Sequence, residues 1–112
     1  MKTAELDLER IAAVTDPFRR HILETLVSEG ETSVTVLAEG MPISRQAVSK
    51  HLTTLTRLGL VDSRRLGRET RFIVRTDVLD DVVSQIQQSV VVWEKRLATL
   101  KRVAESSKES QR

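Results

Sequence analysis

The chain has 112 residues, the size of a single domain, and a formal net charge of only +2. It contains no cysteine and two histidines, so disulfides, thiolate metal sites and a cysteine nucleophile are excluded. A metal site built from several histidines of one chain is nearly excluded as well.

The small net charge hides an uneven distribution along the chain. Residues 41–75 carry eight basic and two acidic side chains, so this segment holds the entire positive excess. Such a segment indicates either a binding surface for a polyanion such as nucleic acid or a solvated basic face without a partner.

Neither a membrane span nor a secretion signal is predicted. The longest run of aliphatic and aromatic residues, 90–93, is far shorter than the ~18 residues that a span needs, and the N-terminus is charged. We therefore expect a cytoplasmic protein with no membrane partner.

The first predicted elements are two amphipathic helices. One covers residues 4–14, where Leu8 and Ile11 belong to the apolar side. Asp16 and Pro17 then favour a new helix start, as N-cap and first helical residue, and Gly30 ends the second helix.

Two further helices follow with a short connection between them. Thr32 and Ser33 are cap candidates for a short helix that stops at Gly40, and Ser44 is the N-cap candidate of the next helix. The inward side of that next helix is formed by Val48, Leu52, Leu55 and Leu58, and the opposite side carries Arg45, Gln46, Ser49, Lys50 and Thr53. Two helices with this connection and division of faces are typical of a helix-turn-helix, although an ordinary surface helix would also show it.

Strand-favouring residues replace the helical pattern after Gly59. A short loop containing Gly67 separates two such runs, which predicts a β-hairpin that carries five arginines. A helix-turn-helix followed by a basic hairpin predicts a winged helix, unless the arginines only keep an exposed edge soluble. The candidate DNA-binding residues that this pattern predicts are Arg45, Gln46, Ser49, Lys50, Thr53, Arg64, Arg65, Gly67, Arg68 and Arg71.

The last predicted element is a long helix that begins near Thr76. Its apolar stripe spans about three heptads, too long for one small domain to cover, so we expect it to form a dimer interface together with the first helix. The predicted interface residues are Leu8, Ile11, Val82, Ile86, Val90, Trp93, Leu97 and Leu100. We expect one domain over residues 1–105 and a flexible polar tail over 106–112.

Three segments, 15–26, 43–61 and 64–74, carry a resemblance to the ArsR family of bacterial winged-helix repressors. The most specific match is Ser49-Lys50-His51-Leu52 followed by Leu55 and Gly59-Leu60-Val61. The resemblance implies a homodimer that binds an operator and represses transcription. By position, it also implies that Gly67-Arg68 form the wing tip and that six residues around the second helix face DNA, namely Ser44, Arg45, Gln46, Ser49, Lys50 and His51. For His51, packing at the helix edge is the alternative.

The chain departs from the metal-sensing members of that family. By position, Ser33 and Thr35 stand where those members have a Cys-x-Cys pair, and no histidine follows His51. Carboxylates alone are poor ligands for soft metals. We therefore predict no metal and no cofactor, and an effector, if one exists, that is an unknown small molecule or protein.

The sequence as a whole predicts a mainly α protein with a small β-hairpin, namely a winged helix-turn-helix with a long C-terminal dimerisation helix. The predicted function is a sequence-specific, homodimeric repressor on a palindromic double-stranded DNA operator. The alternative is a winged-helix protein–protein adaptor with an acidic partner. An enzyme is not expected, because no paired acid and base, phosphate loop or nucleophile pattern occurs.

Overall fold

The computed structural model describes residues 7–110. Its contacts divide the chain into a first compact unit that ends at Val82 and a second that begins at Val83. This boundary falls within the predicted domain of residues 1–105, whose single-domain character stays a prediction.

The first unit opens with α1 (Leu8–Thr15) and α2 (Pro17–Glu29). Residues 4–6 of the first predicted helix lie outside the described residues. The Asp16 carboxylate accepts hydrogen bonds from the backbone N–H groups of Phe18 and Arg19, at 3.1 and 3.0 Å, so it caps α2 as predicted. These bonds, that of Arg19 above all, lower the pKa of Asp16.

A helix-turn-helix and a three-stranded antiparallel sheet complete this unit. The elements are β1 (Thr32–Ser33), α3 (Val34–Glu39), α4 (Arg45–Arg57), β2 (Val61–Leu66) and β3 (Glu69–Val74), with strand order β1-β3-β2. The predicted hairpin is β2–β3. Strand β1 was not predicted, because two residues are too few for an alternating pattern. Ser33 does cap α3 as expected, and it also pairs with Arg71 of β3.

The core of the first unit consists of aliphatic side chains from its helices and from strand β2 with the residue before it. The buried hydrophobic residues are Ala13, Ile22, Leu23, Leu26, Leu37, Val48, Leu52, Leu55, Leu60, Val61 and Val82. Val48, Leu52 and Leu55 are three of the four residues predicted for the inward face of α4, and they are confirmed there. Leu58, the fourth, follows the helix as its C-cap and is half-buried. One side of α4 is thus held in the core, and its opposite side is left to solvent.

Helix α5 (Thr76–Ser110) begins in the first unit, and its later part forms the described portion of the second. The helix continues past Ser106, where the sequence predicted a polar tail, and the flexibility of that tail stays a prediction. Of the predicted interface residues in the second unit, Val90, Trp93, Leu97 and Leu100 are exposed and Ile86 is half-buried. None of the helices within residues 7–110 is long and apolar enough to cross a membrane.

Candidate nucleic-acid interface

Helix α4 is fixed at both of its ends. Ser44 Oγ accepts a hydrogen bond from the Ala47 N–H at 3.1 Å, which satisfies one free amide of the first turn. At the other end Arg10 of α1 donates from Nε to the Leu58 carbonyl oxygen at 2.7 Å. A cation is favourable there because the carbonyl end of a helix carries partial negative charge. The role of Arg10 was not predicted, since 48 positions separate the two residues.

The predicted polar side chains of α4 share one exposed side of the helix. Val48, Leu52 and Leu55 are completely buried on the other side. The exposed residues are Ser44, Arg45, Gln46, Ser49, Lys50 and Thr53. An open depression of about 510 Å³ lies beside the start of the helix, and it is lined by Val34, Arg45, Gln46 and Ser49. The structure thus brings these candidate residues together on one accessible surface.

His51 differs from the other candidates on α4. A helix turns about 100° per residue, which places His51 outside the side that Arg45, Ser49 and Lys50 share. Its ring is half-buried against α2, with the Phe18 ring centroid 6.0 Å away and Arg19 Nη1 3.3 Å from Nδ1. His51 therefore packs against Phe18 and lies within hydrogen-bond distance of Arg19 at the same time. Its contact with DNA stays a prediction.

The hairpin presents a tight turn at the predicted wing tip. Gly67 and Arg68 connect β2 and β3, and Gly67 has a φ of +67°, a left-handed conformation that glycine adopts without steric cost. Arg68 is therefore held at the end of the hairpin, exposed to solvent.

Two of the predicted wing arginines are engaged by acidic side chains. Arg64 and Arg71 lie directly opposite each other on β2 and β3, which is unfavourable for like charges. Glu31 offsets this repulsion, because Arg64 donates to its carboxylate from Nε at 2.7 Å and from Nη2 at 2.9 Å. The hydrogen bond from Arg64 lowers the pKa of Glu31. Arg71 Nε donates to Glu69 Oε2 at 3.2 Å.

The cations of segment 41–75 therefore fall into two groups. The paired group consists of Arg57 with Glu9, Arg64 with Glu31, Arg71 with Glu69, and Arg75 with Asp62 and Asp77. Within residues 7–110, four cations of the segment have a side chain that makes neither an ion pair nor a hydrogen bond. They are Arg45, Lys50, Arg65 and Arg68. We call these four the unpaired cations. Two lie on α4 and two at the tip of the hairpin.

The positions expected to hold metal in related proteins have other roles here. Ser33 Oγ accepts from the Val36 N–H at 3.4 Å and so caps α3, and Thr35 is exposed. In the part of the chain that the structure describes, no three His, Cys, Asp or Glu side chains form a group able to hold a metal ion.

Known proteins resemble the chain in both sequence and structure. A family model described as a helix-turn-helix domain matches residues 14–64. The transcriptional repressor SdpR of Bacillus subtilis (strain 168) is 32% identical over 72 residues, which are 64% of this chain and 79% of that protein.

Two solved structures have a similar fold along most of the chain. A crystal structure of a possible transcriptional regulator for arsenical resistance gives a TM-score of 0.72 at 31% identity, and the match covers 81% of this chain and 94% of that one. An ArsR-like transcriptional regulator from Rhodococcus sp. RHA1 gives a TM-score of 0.66 at 36% identity, with coverage of 88% and 90%.

These similarities confirm the predicted winged helix-turn-helix and point to a regulator rather than an enzyme. The buried inner face and polar outer face of α4, with the basic hairpin next to it, are features expected of a DNA-binding winged helix. The chain belongs to the ArsR family of DNA-binding, winged-helix transcriptional regulators.

Proposed function

We propose that the protein is a cytoplasmic, homodimeric repressor that binds a palindromic DNA operator and does not respond to metal. In each protomer the exposed side of α4 enters the major groove, and the hairpin tip contacts the adjacent backbone or groove. Repression follows because a protein bound at the operator blocks access to the promoter. The similarity to SdpR, a transcriptional repressor, supports this direction of regulation.

The observation that carries the proposal is the position of the unpaired cations. Arg45 and Lys50 accompany Gln46 and Ser49 on α4, a set of side chains able to bond guanine, adenine and phosphate groups. Arg65 and Arg68 belong to the end of the hairpin, where they are exposed. Cations without a protein partner keep their charge available for phosphates, whereas paired arginines must first give up a carboxylate.

Dimerisation is supported by the apolar side chains of the second unit. Trp93, Leu97 and Leu100 are 56%, 57% and 61% exposed, although they continue a heptad stripe. A second copy would remove this surface from water, which favours association. A two-fold dimer can then place two α4 helices in successive major grooves, about 34 Å apart, so the operator should be an imperfect palindrome.

The proposal includes no metal, because the Ser33 hydroxyl is occupied as a helix cap and Thr35 cannot supply a thiolate. The signal that relieves repression is then a small molecule, a partner protein or a fall in the concentration of the protein itself.

Selection from random duplexes at two salt concentrations tests the proposal, followed by hydroxyl-radical footprinting of the selected site. We expect a palindromic site, a two-fold symmetric footprint and an affinity that falls steeply with salt. Addition of zinc, cadmium or arsenite should leave the affinity unchanged. An unsymmetrical single half-site would contradict the dimer, and binding that is insensitive to salt would favour the adaptor alternative.

A further inference from the structure

The contact between α2 and α4 contains a hydrogen bond whose direction is chemically determined. Arg19 Nη1 lies 3.3 Å from His51 Nδ1, and a guanidinium can only donate. Nδ1 must therefore act as acceptor and carry no proton. Neutral His51 then has its proton on Nε2, so the partner selects one of the two imidazole tautomers.

The other nitrogen of the ring is not completely buried. Within residues 7–110, no buried side-chain nitrogen or oxygen of a non-exposed residue lacks a hydrogen-bond partner. His51 is half-buried and makes no hydrogen bond through Nε2, so Nε2 must reach the solvent. The ring thus has a single N–H donor that solvent can reach, on the side away from Arg19.

Arg19 is itself held in place by its neighbours. Its backbone N–H donates to the Asp16 carboxylate at 3.0 Å, and its Nε donates to the Ala13 carbonyl oxygen at 3.4 Å. The planar guanidinium can therefore bridge Ala13 and His51 at the same time. Phe18 packs beside the imidazole, with 6.0 Å between ring centroids, and further limits its rotation.

We propose that Arg19 is a positioning residue for DNA binding, which holds His51 in the tautomer and orientation that offer Nε2–H to a DNA phosphate. The proposal rests on the proposed function, since it needs the α4 surface to meet DNA. Arg19 lies on α2 and acts through His51. A donor that is already oriented binds with less loss of side-chain freedom than a rotating one.

The tautomer can be measured without DNA by ¹⁵N NMR of the imidazole nitrogens near pH 8, well above the usual histidine pKa of about 6.5. The chain has two histidines, and exposed His21 serves as an internal reference that His21→Gln assigns. We expect His51 almost wholly in the Nε2–H form in the wild type. In Arg19→Gln it should move to the mixture that His21 shows. A wild-type His51 identical to His21, or one unchanged by Arg19→Gln, would overturn the proposal.

Affinity for the selected duplex shows whether Arg19 acts by positioning His51 or only by its positive charge. Arg20→Gln is the matched control, because Arg20 is exposed, is adjacent to Arg19 and has no ion pair in the described chain. We expect Arg19→Gln to weaken binding roughly three- to tenfold more than Arg20→Gln, the range of one hydrogen bond. Equal losses would show that Arg19 acts only through its charge and would overturn the inference while leaving the proposed function intact. Failure of the wild type to bind any duplex would instead contradict the proposed function.

Introducing Arg19→Gln into a His51→Gln variant tests whether Arg19 acts through His51. His51→Gln brings an amide nitrogen near the position of Nε2 and removes the acceptor at Nδ1, so most of the affinity should remain. In that background Arg19→Gln should cost no more than Arg20→Gln does. A full additional loss would show an independent role of Arg19 and would overturn the inference.

A second variant covers the case in which Arg19→Gln does not fold, which thermal unfolding would reveal. Arg19→Lys keeps the charge but cannot bridge Ala13 and His51 at once. We expect it to release the His51 tautomer and to weaken binding by a similar factor. Retention of both the wild-type tautomer and the wild-type affinity would overturn the inference.

Discussion

Helix α4 and the later part of α5 carry similar apolar stripes with opposite surroundings. In α4 the stripe residues Val48 and Leu52 are completely buried, whereas in α5 Trp93 and Leu97 are more than half exposed. The spacing of apolar residues shows that a helix has an apolar face. Whether the same chain covers that face depends on how the other elements pack.

The cations of segment 41–75 show the same distinction. Arg64 and Arg68 are close in sequence, yet Glu31 holds Arg64 by two short hydrogen bonds and Arg68 has no side-chain partner in the described chain. Groups that the fold satisfies contribute to stability. Groups that it leaves open are available to a partner, which we propose to be a second copy of the chain for the stripe and DNA for the cations.

The largest expected effect is on the free energy of unfolding, and it distinguishes the buried apolar stripe of α4 from the exposed stripe of α5. Leu52→Ala should destabilise the folded chain by about 2–5 kcal/mol, because it leaves a cavity in a fully buried site. Leu97→Ala removes the same atoms from an exposed site and is the matched control. Urea unfolding measures the free energy of unfolding of both variants, at a protein concentration low enough to keep the proposed dimer dissociated. Equal losses in the two variants would contradict the comparison.

The next effect concerns dimerisation. Trp93→Asp places a charge on the exposed stripe and should weaken the dimer at least about thirtyfold, as expected for an aromatic residue at the centre of an interface. Gln88→Asp adds the same charge to the opposite side of α5 and should change little. Sedimentation equilibrium measures both variants. A dimer equally stable in Trp93→Asp would rule out this stripe as the interface.

A smaller effect separates unpaired from paired cations. Arg68→Ala should weaken DNA binding roughly three- to tenfold across different sequences and lower the slope of log affinity against log salt by about 0.9 for each wing that contacts a phosphate. Arg57→Ala, which removes an arginine paired with Glu9 at 3.3 Å, should leave the slope unchanged. Fluorescence anisotropy titrations at several salt concentrations provide the slopes. An unchanged affinity for Arg68→Ala would argue against the wing.

The smallest expected effect is a gain in DNA affinity rather than a loss. Glu31→Gln removes the carboxylate that holds Arg64 and should raise DNA affinity by roughly twofold, in keeping with the weak energies of exposed ion pairs. Glu24→Gln removes an exposed acid that has no ion pair in the described chain, and it controls for net charge. The same titrations apply. If both variants gain equally, the pairing of Arg64 has no consequence for binding.

Much of the fold could be predicted because its signals are local. Asp16 and Ser44 start α2 and α4 by bonding amides within three residues, and Gly67 permits the hairpin turn. The inner face of α4 follows from helical periodicity alone. The outer face could be named residue by residue for the same reason, except for His51, whose place at the edge depends on α2.

Other parts of the site could not be predicted because they depend on contacts between residues far apart in sequence. Strand β1 has two residues and exists through its pairing with β3. Arg10 reaches Leu58, and Glu31 reaches Arg64, across gaps of 48 and 33 positions. No spacing in the sequence signals these pairs, and they decide how α4 is held and which arginines keep their charge available.

The sequence by itself determined the elements, the apolar faces, the location of the positive charge and, through its motifs, the resemblance to the ArsR family. Helix caps, turns and amphipathic periods act over a few residues, so the chain order alone specifies them. Only the tertiary structure decided which cations are paired, which apolar stripe is covered and which side chain faces Nδ1 of His51. Those properties depend on distances of a few ångströms between distant segments, which packing sets and local sequence does not.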